Sequence, residues 1–278
     1  AAIMVLAPGT YDNFTVEYTL YDQVTNVTGT ICKNYGTVTC NEGKNKKIEY
    51  DLAITNYESN LYYMWDAKYH YWHGYENEQP ALNGTSNPNF PHDSSDQRWH
   101  KEGGGTGRFD ATTALFQPLP NVNEMLWYLE KGNPCWDSKR IWATMKHLYK
   151  GGAWFKKKSK IVAEQGINIA YMKEKAPNGN DYRAIETPQV KRTPSTTIPN
   201  ASELSDYFYL PALGNYLKQP VSGSLYGGLL TARGSGGYYW SSSAHQSTGN
   251  AYGLFFNEPD FIVGYFYRSY GFRVGAFE

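Results

Sequence analysis

Cysteine is scarce: three residues in 278, at positions 32, 40 and 135. An odd, low count does not describe a disulfide scaffold. Cys32 and Cys40 flank Gly36 and could bridge a hairpin, which leaves Cys135 as a free, buried thiol. Net charge is missing too, since 26 Lys and Arg balance 26 Asp and Glu and charged residues make up only 19%. Such a chain offers no basic field for a polyanion. Its one basic run, Lys156-Lys157-Lys158-Ser159-Lys160, reads as a solvated turn after a helix, so nucleic acid is not an expected partner. No apolar stretch approaches the ~18 residues that a membrane span requires, so no transmembrane segment is expected. No leader peptide is visible, and Ala1-Ala2-Ile3-Met4 reads as a processed or recombinant start.

Catalytic signatures are lacking as well. There is no Gly-x-Ser-x-Gly elbow, and Ser241-Ser242-Ser243 read as strand-end serines that bond backbone. Gly103-Gly104-Gly105-Thr106-Gly107 is followed by no Lys-Ser/Thr pair and reads as a flexible loop. His70 and His73, with Asp66 four residues before His70, superficially offer metal ligands. No evident helix puts them on one face and no cysteine pair accompanies them, so they read as structural or surface histidines. Carboxylates are scattered, and Glu258 and Asp260 form the only close pair in the C-terminal tail. No catalytic residue, metal ligand or cofactor is assigned.

What is abundant is aromatic. Twelve of the 35 residues from Tyr238 to Phe272 are Phe, Tyr or Trp, about twice the 16% of the whole chain. That density describes either a large core or a surface that binds through rings. Gly, Asn, Ser and Tyr are plentiful, which suits a loop-rich extracellular protein, and Asn13, Asn26, Asn83 and Asn200 stand in glycosylation sequons.

Residues 1–57 read as a small β-rich segment. Phe14 to Leu20 and Lys47 to Ile54 alternate apolar and polar residues, with β-branched runs at Val27 to Ile31 and Thr37 to Thr39 between them. The pattern resembles the closing strands of fimbrillin-type or Ig-like domains. From Leu61 the composition shifts to large aromatics, and a long irregular run follows to about Leu119. Two helices are expected next. The first follows Asn121, which forms a capping pair with Glu124, and carries Val122, Met125, Leu126 and Leu129 at helical spacing until Gly132. The second is expected from Asp137 as N-cap to Lys150, with Ile141, Trp142, Met145, Leu148 and Tyr149 on one side and Gly151-Gly152 as its stop. Residues 173–200 read as a surface loop, and strands resume at Tyr207.

The tail carries Leu210-Pro211-Ala212-Leu213-Gly214, Gly237-Tyr238-Tyr239-Trp240-Ser241-Ser242-Ser243, Ala251-Tyr252, Phe256-Asn257 and Arg268-Ser269-Tyr270-Gly271-Phe272-Arg273-Val274. This order, with a weaker echo at Leu119-Pro120 through Trp127, resembles the C-type-lectin-fold domains of Bacteroidetes surface proteins, the major paralogous (FISUMP-type) domains. Their fold relatives are formylglycine-generating enzymes and variable proteins diversified by retroelements. The resemblance implies an α+β, C-type-lectin-like domain over residues 58–278, two helices plus an antiparallel sheet with long loops, on a cell-surface, pilus-borne or phage protein. It departs from two relatives. Glu258-Pro259-Asp260 follows Trp240-Ser241-Ser242, the wrong order and identity for a Ca²⁺-dependent sugar site. No cysteine follows Cys135, so formylglycine-generating chemistry has no residues here.

In the retroelement-diversified relatives, fixed framework positions alternate with variable ones. Carried onto this chain, Tyr239, Trp240, Ser241, Ser242, Ala251, Tyr252, Leu254, Phe256, Asn257, Arg268, Gly271, Phe272 and Val274 fall on framework. The expected ligand-binding set within the variable region 236–278 is Tyr238, His245, Gln246, Thr248, Phe255, Phe261, Val263, Tyr265, Tyr267, Ser269 and Tyr270. Strand alternation separates Tyr252, Leu254 and Phe256 from Phe255, and places Phe261, Val263 and Tyr265 on one face of the following strand, expected to be exposed; the alternative is that Phe255 and Phe261 pack under the 173–200 loop. Arg268 and Arg273 are expected to anchor the fold. The implied function is binding of a protein or glycan ligand through an aromatic C-terminal face, without chemistry. The alternatives are a pilus-tip or structural surface subunit, discriminated by the effect of deleting residues 1–55 on assembly, and a formylglycine-generating-type enzyme.

Overall fold

The computed structural model describes residues 4–45, 47, 51–218, 227–275 and 277–278. Ala1 to Ile3 and the Ile48 to Tyr50 part of the alternating run at 47–54 lie outside the described residues, and Asp51 to Thr55 form no strand. In chain order the elements are β1 (Gly9–Tyr11), β2 (Thr15–Asp22), β3 (Val27–Asn34), β4 (Val38–Cys40), β5 (Tyr62–Tyr63), α1 (Val122–Lys131), β6 (Cys135–Thr144), β7 (His147–Lys156), α2 (Lys158–Gln165), α3 (Ile169–Glu174) and β8 (Val190–Arg192). They continue with β9 (Tyr207–Pro211), β10 (Leu213–Leu217), β11 (Leu229–Arg233), β12 (Gly236–Ala244), β13 (Asn250–Asn257), β14 (Phe261–Tyr267) and β15 (Phe272–Arg273).

The N-terminal segment makes two small antiparallel pairs, β1 with β4 and β2 with β3. Two-stranded ribbons are marginal alone, and the β2–β3 hairpin is docked on the β6–β7 hairpin. Asp22 accepts the backbone N–H groups of Leu148, at 2.8 Å, and of Val24 and Thr25, while Thr25 Oγ1 donates to Leu148 O. Gly29 lies against Ile141 so closely that a Cβ would sit 2.2 Å from Ile141 Cγ2. Downstream, Tyr57 N–H bonds Ala143 O and Ala143 N–H bonds Thr55 O, extending the docking along β6.

The first expected helix is α1, and its capping box is complete: Asn121 Oδ1 accepts Glu124 N–H while Glu124 Oε2 accepts Asn121 N–H. The second is a correction. Residues 137–150 form most of the β6–β7 hairpin, with a two-residue turn in which Met145 and Lys146 both have positive φ, 50° and 67°. That backbone is normally announced by Asn-Gly or Asp-Gly, and this turn carries neither. Asp137 does accept the N–H groups two and three residues on, Lys139 and Arg140, as an N-cap would. Here the bonds close a bulge in β6 instead of opening a helix. Trp142 and Tyr149 stack across the hairpin at 5.2 Å. Gly151 and Gly152 lie inside β7: at Gly152 a Cβ would be 2.4 Å from the Tyr209 hydroxyl, so the glycine admits β9 alongside. The basic run, expected as a solvated turn, instead leads into α2 with its lysines paired: Lys156 with Glu164, Lys157 with Glu278, Lys158 with Glu124 and Lys160 with Asp206.

β6, β7 and β9 form a three-stranded sheet, while an eight-stranded sheet runs β11-β10-β12-β13-β14-β8, with β15 beside β12 and β5 beside β15. Between the two sheets lies α1, buried from Val122 to Leu129, which explains why its polar Asn123 and Glu124 need internal partners. Glu124 receives Lys158 Nζ at 2.5 Å, and Asn123 bonds Lys173 O, Asp181 and Tyr182 N–H. Among the described residues, strands take 35% and helices 11%, in several sheets with three helices. The expected α+β domain of two helices on one antiparallel sheet is thereby corrected to a predominantly β architecture.

Candidate functional site

The C-terminal strands β12, β13 and β14 are paired in order, and their register fixes what each face carries. Tyr239 opposes Leu254, which opposes Val263; Phe256 opposes Phe261. Directly opposed residues share a face, so Tyr239, Tyr252, Leu254, Phe256, Phe261 and Val263 point together into the core against α1 and β7. On the other face, Tyr238 opposes Phe255, which opposes Ile262, and Trp240 opposes Gly253, which opposes Gly264.

Phe261 and Val263 are therefore corrected: both are fully buried, Phe261 packing on Phe155 at 5.6 Å and Phe256 at 5.5 Å. Neither can touch a ligand. Tyr265 continues their face beyond the cover of α1 and emerges 39% exposed, and Tyr267 is 59% exposed. Tyr238 and Phe255 lie half-buried on the opposite face, their ring centroids 4.7 Å apart.

From that pair a line of rings runs across the sheet. Tyr238 meets Phe272 at 5.0 Å, Phe272 meets Tyr270 at 6.1 Å, and Tyr270 meets Tyr267 at 5.5 Å. Phe266, outside the expected ligand-binding set, flanks Phe272 at 5.1 Å and is half-buried. The inner half of this face is closed: Trp240, Ala251 and Phe272 are covered by Trp65, Ala111, Phe116 and Leu119 from the long irregular segment. The outer half stays open. At its far end an open groove of about 300 Å³ is lined by Gly236, Tyr238, Phe255, Asn257, Glu258 and Pro259. The line of rings is thus open at its two ends, Tyr238 with Phe255 beside the groove and Tyr270 with Tyr267, and buried between them at Phe272; these ends form the aromatic strip.

The remaining expected residues gather at the β12–β13 turn. His245 is buried; its Nε2 faces Glu186 Oε1 at 3.2 Å and its Nδ1 accepts Ser247 N–H, an arrangement that puts the imidazole proton on Nε2. Burial holds its pKa below the usual histidine range despite Glu186. Its ring lies 4.2 Å from that of Tyr265. Gln246 donates to Ala184 O, Thr248 is exposed at the turn, and Ser269 is half-buried. The segment expected as a surface loop at 173–200 instead contains the end of α3 and strand β8, which pairs with β14, and the stretch between them braces the turn, with Thr187 N–H bonding the Tyr252 hydroxyl.

The framework beneath is densely bonded. Ser241 Oγ donates to Tyr252 O within a β12 bulge, so the serine run serves the backbone. Arg268, fully buried, donates to Asn250 O, Lys101 O and Gly103 O and stacks 4.7 Å from Trp65. Desolvation lowers its pKa to about 10. The glycine run supplies that cradle: Gly103, Gly104 and Gly105 all have φ in the left-handed half, which lets the chain wrap the guanidinium. Arg273 donates to Glu58 O.

A second cavity of about 350 Å³ lies at the start of α1, lined among others by Arg108, Asp110, Glu124 and Arg183. Arg108 pairs with Asp110, Arg183 with Asp181 and Glu124 with Lys158, so these charges are already matched. Cys135 is free and buried, and burial pushes its thiol up to about 12, away from the thiolate a nucleophile needs. Cys32 and Cys40 are unbridged. Among the described residues, no helix is long and apolar enough to cross a membrane. No protein-family model matches the sequence, and no curated protein or solved structure matches it.

Proposed function

We propose that the protein is a binding protein of the cell surface or extracellular space that holds a glycan or protein ligand against its C-terminal aromatic strip and performs no chemistry on it. The observation that carries this reading is a pair of partly open ring clusters, Tyr238 with Phe255 beside the groove at Glu258 and Tyr270 with Tyr267 further along, both packed on the buried Phe272 or its neighbours. Tyr and Phe supply large, rigid contact area at small entropic cost, and rim groups such as Asn257, Glu258 and Thr248 supply adaptable hydrogen bonds. Rings prefixed by packing on one another have little freedom left to lose on binding.

The test is retention of the protein by a panel of immobilised polysaccharides and surface glycoproteins, wild type against Phe255→Ala. A ligand held by the wild type and lost by the variant supports the reading; equal retention by both removes the strip from recognition. Diversification of the tail by a retroelement belongs to the same proposal, and it concerns Tyr238, His245, Gln246, Thr248, Phe255, Tyr265, Tyr267, Ser269 and Tyr270. A near-copy of the codons for 236–278, differing at adenines and lying beside a reverse-transcriptase gene, would support it. Finding the flanking DNA without such a copy would remove it.

A further inference from the structure

The geometry points to a divalent transition-metal site, of the kind zinc occupies, formed by His70, His73 and Glu76 on the surface turn that follows β5. The ligand-bearing atoms of all three lie within 4.8 Å of one another. His70 Nε2 is 3.2 Å and His73 Nδ1 3.7 Å from the same oxygen, Glu76 Oε1. Ligand bonds of ~2.0–2.1 Å at a tetrahedral centre set neighbouring ligand atoms roughly 3.3 Å apart, so each histidine already stands near that spacing from Glu76, and small rotations of two exposed side chains would close the rest.

Sequence spacing pairs these histidines with Asp66, and that pairing is wrong. Both Asp66 carboxylate oxygens are taken by the backbone and hydroxyl groups of Thr112 and Thr113. Glu76 takes its place because the chain turns twice after His70: His73 N–H bonds His70 O at 2.9 Å, and Tyr75 N–H bonds Trp72 O at 2.8 Å. A 3₁₀ turn then begins at Glu76.

The turn is held from inside. Tyr71 and Trp72, between the two histidines, are fully buried; Tyr71 stacks on Tyr216, and its carbonyl accepts Arg98 Nη1. His70 is thereby left partly exposed and His73 and Glu76 face solvent. Each candidate ligand also has an outer contact that limits its orientation. The Tyr69 ring stacks on His73 at 4.4 Å and 7°, Tyr63 packs edge-on against His70, and Gly74 N–H donates to Glu76 Oε1 at 3.1 Å. Outer-shell fixing of this sort tunes metal ligands.

Two imidazoles and one carboxylate select zinc and its neighbours among first-row divalent ions over Ca²⁺ or Mg²⁺, which take all-oxygen sets. Three protein ligands leave a fourth position open to water or to a donor atom from a bound molecule. β5, which carries Tyr63, pairs with Phe272 of the aromatic strip, so the turn is tied to the same sheet edge.

Calorimetric titration of the full chain with zinc chloride in chelator-treated buffer tests the assignment, together with the visible spectrum of the cobalt(II) form. One equivalent should bind, and cobalt should give the intense bands of a four- or five-coordinate centre. His73→Ala and Glu76→Gln alter exposed side chains and should each weaken binding at least about tenfold. Their metal-free melting temperatures should stay at the wild-type value, and Cys32→Ser with Cys40→Ser should bind zinc as the wild type does. Absence of saturable binding, equal affinity in His73→Ala and Glu76→Gln, or loss of binding with the cysteines instead would overturn the site.

Discussion

Phe261 and Tyr265 stand four residues apart on one face of β14, yet one is a core ring and the other a surface ring. The difference is cover, since α1 and β7 roof the strand as far as Val263 and no further. Truncating Phe261 and the more exposed Tyr267, two residues beyond Tyr265, should therefore separate stability from binding. Phe261→Ala should cost about 3–5 kcal/mol, the usual loss for emptying a filled aromatic site, read as a fall in the denaturant midpoint. Tyr267→Ala, which removes a mostly exposed ring, should change stability by no more than ~0.5 kcal/mol, and any ligand found on the strip should be lost with it. A large stability loss for Tyr267→Ala would assign that ring to the scaffold. The placement of Phe261 was legible in principle. Asn257 and Asp260 close the turn around Glu258-Pro259 through two hydrogen bonds, and a turn there sets Phe256 opposite Phe261. Opposed residues share a face, and Phe256 reads as core. Alternation within a single strand gives two faces but does not say which one is buried; the register with its neighbour does.

At the level of elements, the two hairpins that meet at Leu148 carry the most specific predictions. Lys146 sits at φ 67°, a conformation that costs an L-residue roughly 1 kcal/mol and glycine almost nothing. Lys146→Gly should accordingly raise the melting temperature, by an amount corresponding to up to about 1 kcal/mol; a loss would mean that the turn is not of this type. The docking of β2–β3 should be acid-sensitive. Asp22 titrates at about 2 in the folded chain, chiefly because Leu148 N–H bonds its carboxylate, and near 3.9 when unfolded. A folded pKa below the unfolded one stabilises above the unfolded value and loses that contribution as pH falls from about 4 toward 2. With allowance for solvent screening this amounts to about 1 kcal/mol. Limited proteolysis should therefore cut the segment before residue 45 faster at pH 3 than at pH 6, and Asp22→Asn should remove most of the difference. α1 could be read residue by residue because its capping box is a local device. The β6–β7 hairpin could not, because Asp137 makes N-cap-like bonds in a bulge and the turn at Met145-Lys146 lacks the residues that mark one.

Over the whole molecule, a predominantly β scaffold is built from several sheets around one buried helix, and its largest sheet presents a half-open aromatic face. The segment most opaque in the sequence, the long irregular stretch from residue 64 to Leu119, turns out to roof the inner half of that face. It does so through contacts such as Trp65 Nε1 to Ser241 O, 176 residues apart in the chain. Such pairings obey no period, so composition alone reads the stretch as loop. The aromatic tail, by contrast, announces itself by density, and its division into scaffold and display depends on register and cover. The most direct test is a display library in which Tyr238, Phe255, Tyr267 and Tyr270 alone are randomised, sorted first for folding by protease resistance and then for binding to a panel of glycans and proteins. The account predicts that most clones fold and that the molecules they bind change from clone to clone. A library that collapses in the folding sort, or folded clones that all retain the wild-type binding profile, would contradict it.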